Sequence, residues 1–159
     1  MIQTPRLEPV STLMNANLLF LLNLLSTWYL VGLIWMVQIV HYNLFDRVGE
    51  AEFIQYETDH NRLITPIVGP PMLIELVTAV ALLVSAPTGF PHWAAWMGVI
   101  TIGILWMTTF FVSVPCHNTL LNGFDPDAYH TLVRTNWVRT LVWTVRGVMM
   151  GYFALSLLK

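Results

Sequence analysis

Four long apolar runs, about residues 17–40, 64–86, 93–114 and 137–158, constrain this 159-residue chain more than any other feature. Each approaches or exceeds the roughly 20 residues a helix needs to cross a bilayer. Backbone in hydrocarbon must satisfy its own hydrogen bonds, and the runs lack the alternation of barrel strands, so they read as helices. Composition agrees: 56% hydrophobic and 10% charged residues leave too little polar surface to clothe a water-soluble domain. The expectation is an all-α integral membrane protein, one domain over residues 1–159, folded as a four-helix bundle. The first run is long and follows a neutral-to-acidic leader, so it is expected to be retained rather than cleaved as a secretory signal.

Other classes are disfavoured on simple grounds. The net charge of −2 and the lack of a basic cluster argue against nucleic acid as a partner. A single cysteine, Cys116, excludes an intrachain disulfide.

Four crossings put both termini on one side of the membrane. The second connection, residues 85–92, is a short uncharged turn containing His92, while the first and third hold most of the polar residues. Residues 47–61 and 125–135 read as two short interfacial helices lying on the membrane surface. In the first, Phe53, Tyr56, His60 and Leu63 share an inward stripe, with Glu50, Glu57, Asp59 and Asn61 elsewhere around the helix. In the second, Tyr129, Leu132, Asn136 and Arg139 repeat that spacing, Asp125 with Pro126 supplies the start, and His130 falls off the stripe toward solvent.

The two segments align with an offset of 76 residues: His41 on His117, Phe53 on Tyr129, and His60 on Asn136. The chain thus reads as a tandem repeat of span, surface helix, span. Repeats of this kind commonly place a site between the halves. Arg47, Arg62, Arg134 and Arg139 at the polar side, against Arg6 and Lys159 at the terminal side, favour a cytoplasmic polar side, as in a bacterial inner membrane.

Polar residues within the spans are the candidate site, because hydrocarbon penalises each of them. Trp35, Gln38, Tyr42 and Phe45 share a stripe at the end of span one, with His41 beside it; Ser113 and His117 occupy the matching end of span three. Pro70 and Pro71 read as the first turn of span two, with Glu75 one turn inward. Asn136, Arg139, Trp143 and Arg146 form one face of span four. Glu75 is expected to pair with Arg139 or Arg146, whether for chemistry or only to fix helix register.

For His41, His60 and His117 the expected role is a metal site holding iron or copper, with Glu75 as fourth ligand, or a haem site; proton transfer is the alternative. Tyr56, Trp143 and Arg146 are candidates to line a bound cofactor, and Glu75, Asn136 and Arg139 to act on substrate. Interfacial histidines satisfied by helix-end carbonyls are the competing structural explanation, and no compact motif such as His-Glu-x-x-His decides the matter. Most tryptophans, Trp93 and Trp96 among them, read as interfacial belt residues.

The sequence Val114-Pro115-Cys116-His117-Asn118-Thr119-Leu120, followed by Asp125-Pro126 and Asn136-Trp137-Val138-Arg139-Thr140, resembles the small four-span membrane proteins grouped with anthrone oxygenases. That group closes span three with Val-Pro-x-Asn-x-x-Leu and opens span four with Asn-x-x-Arg-Thr. The resemblance covers the last third of the chain and, through span layout alone, the first half. It implies a four-helix bundle and oxygenation of a polycyclic aromatic, with functional residues at Asn136, Arg139 and His117, the last replacing the group's usual Asn. It implies no cofactor.

The leading expectation is a membrane oxidoreductase, an oxygenase, acting on a lipophilic or aromatic small molecule that enters from the bilayer. The alternatives are a non-catalytic subunit of a larger respiratory or photosynthetic complex and a proton-coupled carrier acting as a homo-oligomer.

Overall fold

The computed structural model describes residues 10–157, with side chains from residue 15 onward. Four helices long and apolar enough to cross a membrane form an all-α bundle. Helix α1 (Val10–Met36) runs into a wide π-turn (Val37–His41) and then a tight 3₁₀ segment (Tyr42–Arg47). The change of pitch has a local cause. Tyr42 N–H reaches back five residues to Val37 O, and the Asn43 side-chain amide donates to Gln38 O and Ile39 O at 3.1 and 3.0 Å, taking up carbonyls where the helix changes width.

Helix α2 (Glu50–Leu82) is continuous, which corrects the expected surface helix over 47–61 and separate span over 64–86. At 1.5 Å per residue its 33 residues reach about 50 Å, beyond the ~30 Å hydrocarbon core. The amphipathic first half therefore continues the span rather than lying flat. Pro66, Pro70 and Pro71 all sit inside the helix, not in a first turn, and remove three N–H donors from one stretch.

The connection after α2 turns at Gly89, whose φ of 91° suits glycine. Helix α3 (His92–Thr108) is followed by a second π-turn (Thr109–Ser113) and the short α4 (Val114–Leu120). Here the cause is Pro115: it has no N–H to offer and its ring crowds the preceding turn, so a wide turn ahead of it relieves both problems.

Helix α5 (Pro126–Leu157) is also continuous, so the expected surface helix over 125–135 is its first part. Asp125 caps it, Oδ1 accepting from Ala128 N–H at 2.8 Å. Each half of the chain is thus a span carrying a π-turn near its polar end, followed by a long unbroken helix.

Packing is inside-out relative to a soluble protein. Large apolar residues such as Val77, Phe111, Val145 and Leu155 face outward, while the bundle interior buries Asn23, Thr27, Gln38, Glu57, Glu75, Asn136, Arg139 and Arg146. One apolar cluster, including Leu30, Phe45, Phe53, Leu120 and Leu132, surrounds the polar end. A second, built on Phe20, Leu82, Phe90 and Phe153, closes the opposite end.

Candidate functional site

Three polar clusters occupy the bundle. The deepest joins all four long helices through Arg146. Its Nε donates to Glu75 Oε1 at 2.8 Å and to Thr27 at 3.3 Å; Nη1 donates to Gly98 O at 2.8 Å and Thr101 at 3.2 Å; Nη2 donates to Asn23 Oδ1 at 2.7 Å. Glu75 also accepts from Thr27 at 2.6 Å and Trp143 Nε1 at 3.1 Å. Of the two arginines expected as partners for Glu75, it is Arg146 that pairs with it. Both are almost fully buried. Every neighbour is satisfied, so this cluster locks helix register.

Glu75 is therefore not beside the histidines, as a fourth metal ligand would have to be. It stands fifteen residues beyond His60 on the same helix, on the order of 20 Å along the axis. The carboxylate at the histidines is Glu57, which sits in the interior and not elsewhere around the helix as expected. Its Oε1 is 2.6 Å from His117 Nδ1 and accepts from Asn61 at 3.0 Å, while Oε2 is buried without a partner. His117 Nε2 lies 3.2 Å from the Tyr42 hydroxyl. Tyr42, His117 and Glu57 thus form a hydrogen-bonded chain drawn from both halves of the sequence.

The other two histidines adjoin this chain. His41 Nε2 is 2.7 Å from His60 Nδ1, and the His60 ring stacks on His117 with centroids 5.1 Å apart. His41 is only half-buried, so the pair leads from the interior toward the polar surface. The three expected histidines therefore do come together. Among the described residues, however, no three His, Cys, Asp or Glu are placed to hold a metal ion. The contacts agree: both His117 nitrogens face Glu57 and Tyr42, and His41 Nε2 faces His60 Nδ1, so both nitrogens of His117 and one of each other ring are spent on hydrogen bonds. The close ring spacings also leave no slot for a porphyrin between two imidazoles. The residues as placed do not fit the expected metal or haem.

The third cluster lies beside the second. Asn136 Nδ2 donates to Gln38 Oε1 at 2.9 Å, and Arg139 Nη1 donates to Asn136 Oδ1 at 3.2 Å and Ser113 at 3.4 Å. The Arg139 guanidinium also lies over the Trp143 ring, 5.3 Å from its centroid.

A cavity of about 340 Å³ connects these groups. Tyr42, His60, Asn61, His117 and Arg139 line its polar end; Leu30, Met72, Trp106 and Trp143 line the rest. Of the residues expected to line a cofactor, only Trp143 reaches it. Tyr56 instead packs on Phe45 and His41, with centroids 5.4 and 6.3 Å apart, and Arg146 is held in the deep network. Cys116 is buried, and His130 is exposed against Tyr129.

Sequence reasoning misses Glu57 and the role of Tyr42. The signal is present: Phe53, Glu57 and His60 are four and three residues apart, as much a stripe as Phe53, Tyr56 and His60. Comparison of the chain with family models, with curated proteins and with solved structures gives no match.

Proposed function

We propose that this protein is a membrane-embedded oxidoreductase of the oxygenase kind, which takes a lipophilic substrate from the bilayer and removes a proton from it through Tyr42, His117 and Glu57. The observation that carries the proposal is the relay itself, which begins at the cavity wall and ends on a buried carboxylate. In one state Glu57 is ionised, His117 Nδ1–H donates to it, and Nε2 accepts from Tyr42. When the Tyr42 oxygen takes a proton from the substrate, its own passes to Nε2 and the Nδ1 proton passes to Glu57. No net charge then accumulates on the imidazole. The unpaired Oε2 of Glu57 fits a carboxylate that alternates between ionised and protonated forms.

A substrate with an acidic methylene conjugated to a ketone through fused aromatic rings suits this base. Its carbanion donates an electron pair to dioxygen, forming a C–O bond, and the peroxide oxygen takes back the proton. Loss of the second C–H proton with cleavage of the O–O bond gives a ketone and water, which balances one dioxygen per substrate. The similarity to the anthrone-oxygenase group supports this substrate type. His60, on the cavity, and His41, toward the surface, share a hydrogen bond and can hand on a proton as neutral imidazoles, one ring nitrogen accepting as the other donates. Arg47, Arg62 and Arg134 are exposed at this end, which supports its facing the cytoplasm of a bacterial inner membrane. A metal on the histidines forms no part of the proposal, since both nitrogens of His117 are held in the relay and no three ligand groups come together among the described residues.

The test is anaerobic deuterium exchange at the methylene of anthrone, followed by oxygen uptake on admitting air. Wild-type protein in nanodiscs should catalyse both, and His117→Ala or Tyr42→Phe should each slow exchange by about 10²-fold or more. Exchange no faster than in protein-free nanodiscs would overturn the proposal.

A further inference from the structure

The Arg139 guanidinium is almost fully buried; its hydrogen bonds to Ser113 and Asn136 leave from Nη1, and the neutral Tyr42 hydroxyl lies against it. Its Nε is buried and has no partner. Among the described residues no carboxylate pairs with it: Glu75 is taken by Arg146, and Glu57 by His117. A permanent cation inside a membrane bundle without a counter-ion is costly, only partly offset by the Trp143 ring, so the site favours a ligand that supplies negative charge. Arg139 lines the cavity, beside Tyr42 and His117 at its polar end.

The shape of the cavity says what can bring that charge. Along α2 it runs from His60 to Met72, twelve residues or about 18 Å. The space is elongated and graded from polar to apolar. Its side is open toward lipid: no Cα of α2 comes within 8 Å of one in the π-turn Thr109–Ser113 among the described residues, and the outward-facing Thr65, Phe110 and Val114 rim that gap.

We infer that Arg139 is an oxyanion-binding site, and that the cavity takes a membrane-resident amphiphile with a monoanionic oxygen head, loaded sideways from the bilayer. The head pairs with the guanidinium, and an elongated apolar body lies lengthwise toward Leu30, Met72 and Trp106. The inference rests on the proposed function only in taking this cavity as the substrate site. It adds the ligand's charge, polarity and route of entry. Two sources share the chemistry, a long-chain carboxylate and a fused-ring phenolate.

The test uses the full chain in phosphatidylcholine nanodiscs. 9,10-Dibromostearate is titrated in while tryptophan emission is followed, since Trp106 and Trp143 line the cavity and bromine quenches at contact. Wild-type protein should show saturable quenching, with the free acid binding about tenfold or more tighter than its methyl ester. That preference should vanish in Arg139→Gln and survive in part in Arg139→Lys. Val68 lines the cavity, and Val68→Phe, which fills part of it without adding a tryptophan, should abolish saturable binding of acid and ester alike. Displacement of the bound acid by the anion of 1-hydroxyanthracene would extend the site to phenolates, and failure to displace it would assign it to carboxylates. Equal affinity for acid and ester in the wild-type protein would overturn the inference without any variant. Arg139-dependent binding without turnover would leave it standing and count against the enzymatic proposal; turnover dependent on His117 with acid and ester bound equally would do the reverse.

Discussion

Arg146→Met should be among the most destabilising single substitutions in this protein, and a second substitution should largely repair it. Methionine keeps the length of the side chain but removes the charge and all five hydrogen bonds that Arg146 makes to Glu75, Thr27, Gly98, Thr101 and Asn23. Hydrogen bonds between membrane helices average about 0.6 kcal/mol by double-mutant cycles, so five account for about 3 kcal/mol. Removing one partner of a buried ion pair costs about 3–5 kcal/mol, because the other charge is stranded. Both routes point to a loss of about 3–5 kcal/mol. In Glu75→Gln with Arg146→Met no charge is left to strand, and the introduced amide can accept from Trp143 Nε1 through its oxygen and donate to the Thr27 hydroxyl through its nitrogen. The double variant should therefore lie at least about 2 kcal/mol above the additive expectation. Reversible unfolding in mixed micelles of rising SDS content, followed by circular dichroism, measures all four corners of the cycle. A loss below about 1 kcal/mol for Arg146→Met, or additivity within about 0.5 kcal/mol, would refute the reasoning that this pair locks the bundle.

Three further outcomes are expected. A Cβ at Gly98 would lie 3.1 Å from Arg146 Nη1, which is itself held by Gly98 O, so Gly98→Ala should cost about 1–3 kcal/mol in the same unfolding assay; Gly103→Ala, which meets nothing within 4 Å, should be neutral or slightly stabilising. If His41 carries protons between the cavity and water, His41→Ala should slow methylene exchange, and added imidazole should restore the rate in proportion to its concentration; a slow variant that imidazole does not rescue would assign His41 a packing role. Cys116 is buried, so an impermeant maleimide reports on added cysteines: on intact cells Thr88→Cys should label at once, and Asn122→Cys only after permeabilisation, with the reverse pattern inverting the orientation.

The spans are legible in the sequence because a bilayer imposes a length and an apolar composition that few other environments demand. The two expected surface helices fail for a specific reason. An inward stripe of Phe53, Tyr56 and His60 looks the same on a helix lying flat as on one standing upright, and only packing of Phe53 against Phe45 and Phe124 distinguishes them. The same ambiguity hides Glu57. Positions three and four residues from Phe53 are neighbours on the helix, and hydrophobicity favours the aromatic for the inward place, although Tyr56 is half-buried and Glu57 is buried outright. That Glu75 needs an arginine is readable from its depth. Which arginine is not, since Arg139 and Arg146 lie two turns apart on one face of α5 and local sequence does not report their depth relative to α2.

The duplicated layout explains why the site sits where it does, and why neither half suffices for it. His117, from the second half, bonds to Tyr42 and Glu57 of the first; Asn136, from the second, bonds to Gln38 of the first. Both hydrogen-bonded groups cross the seam between halves at the end where both π-turns fall. Each π-turn adds a residue to one turn of its helix, so the residues after it fall at a different angle from those of an unbroken α-helix. The matching positions differ in their contacts: His60 pairs with His41, whereas its counterpart Asn136 holds Arg139 at the cavity. His60 and Arg139 reach one cavity from different halves of the chain, so a ligand there would meet different chemistry at each, as at a site between repeated units.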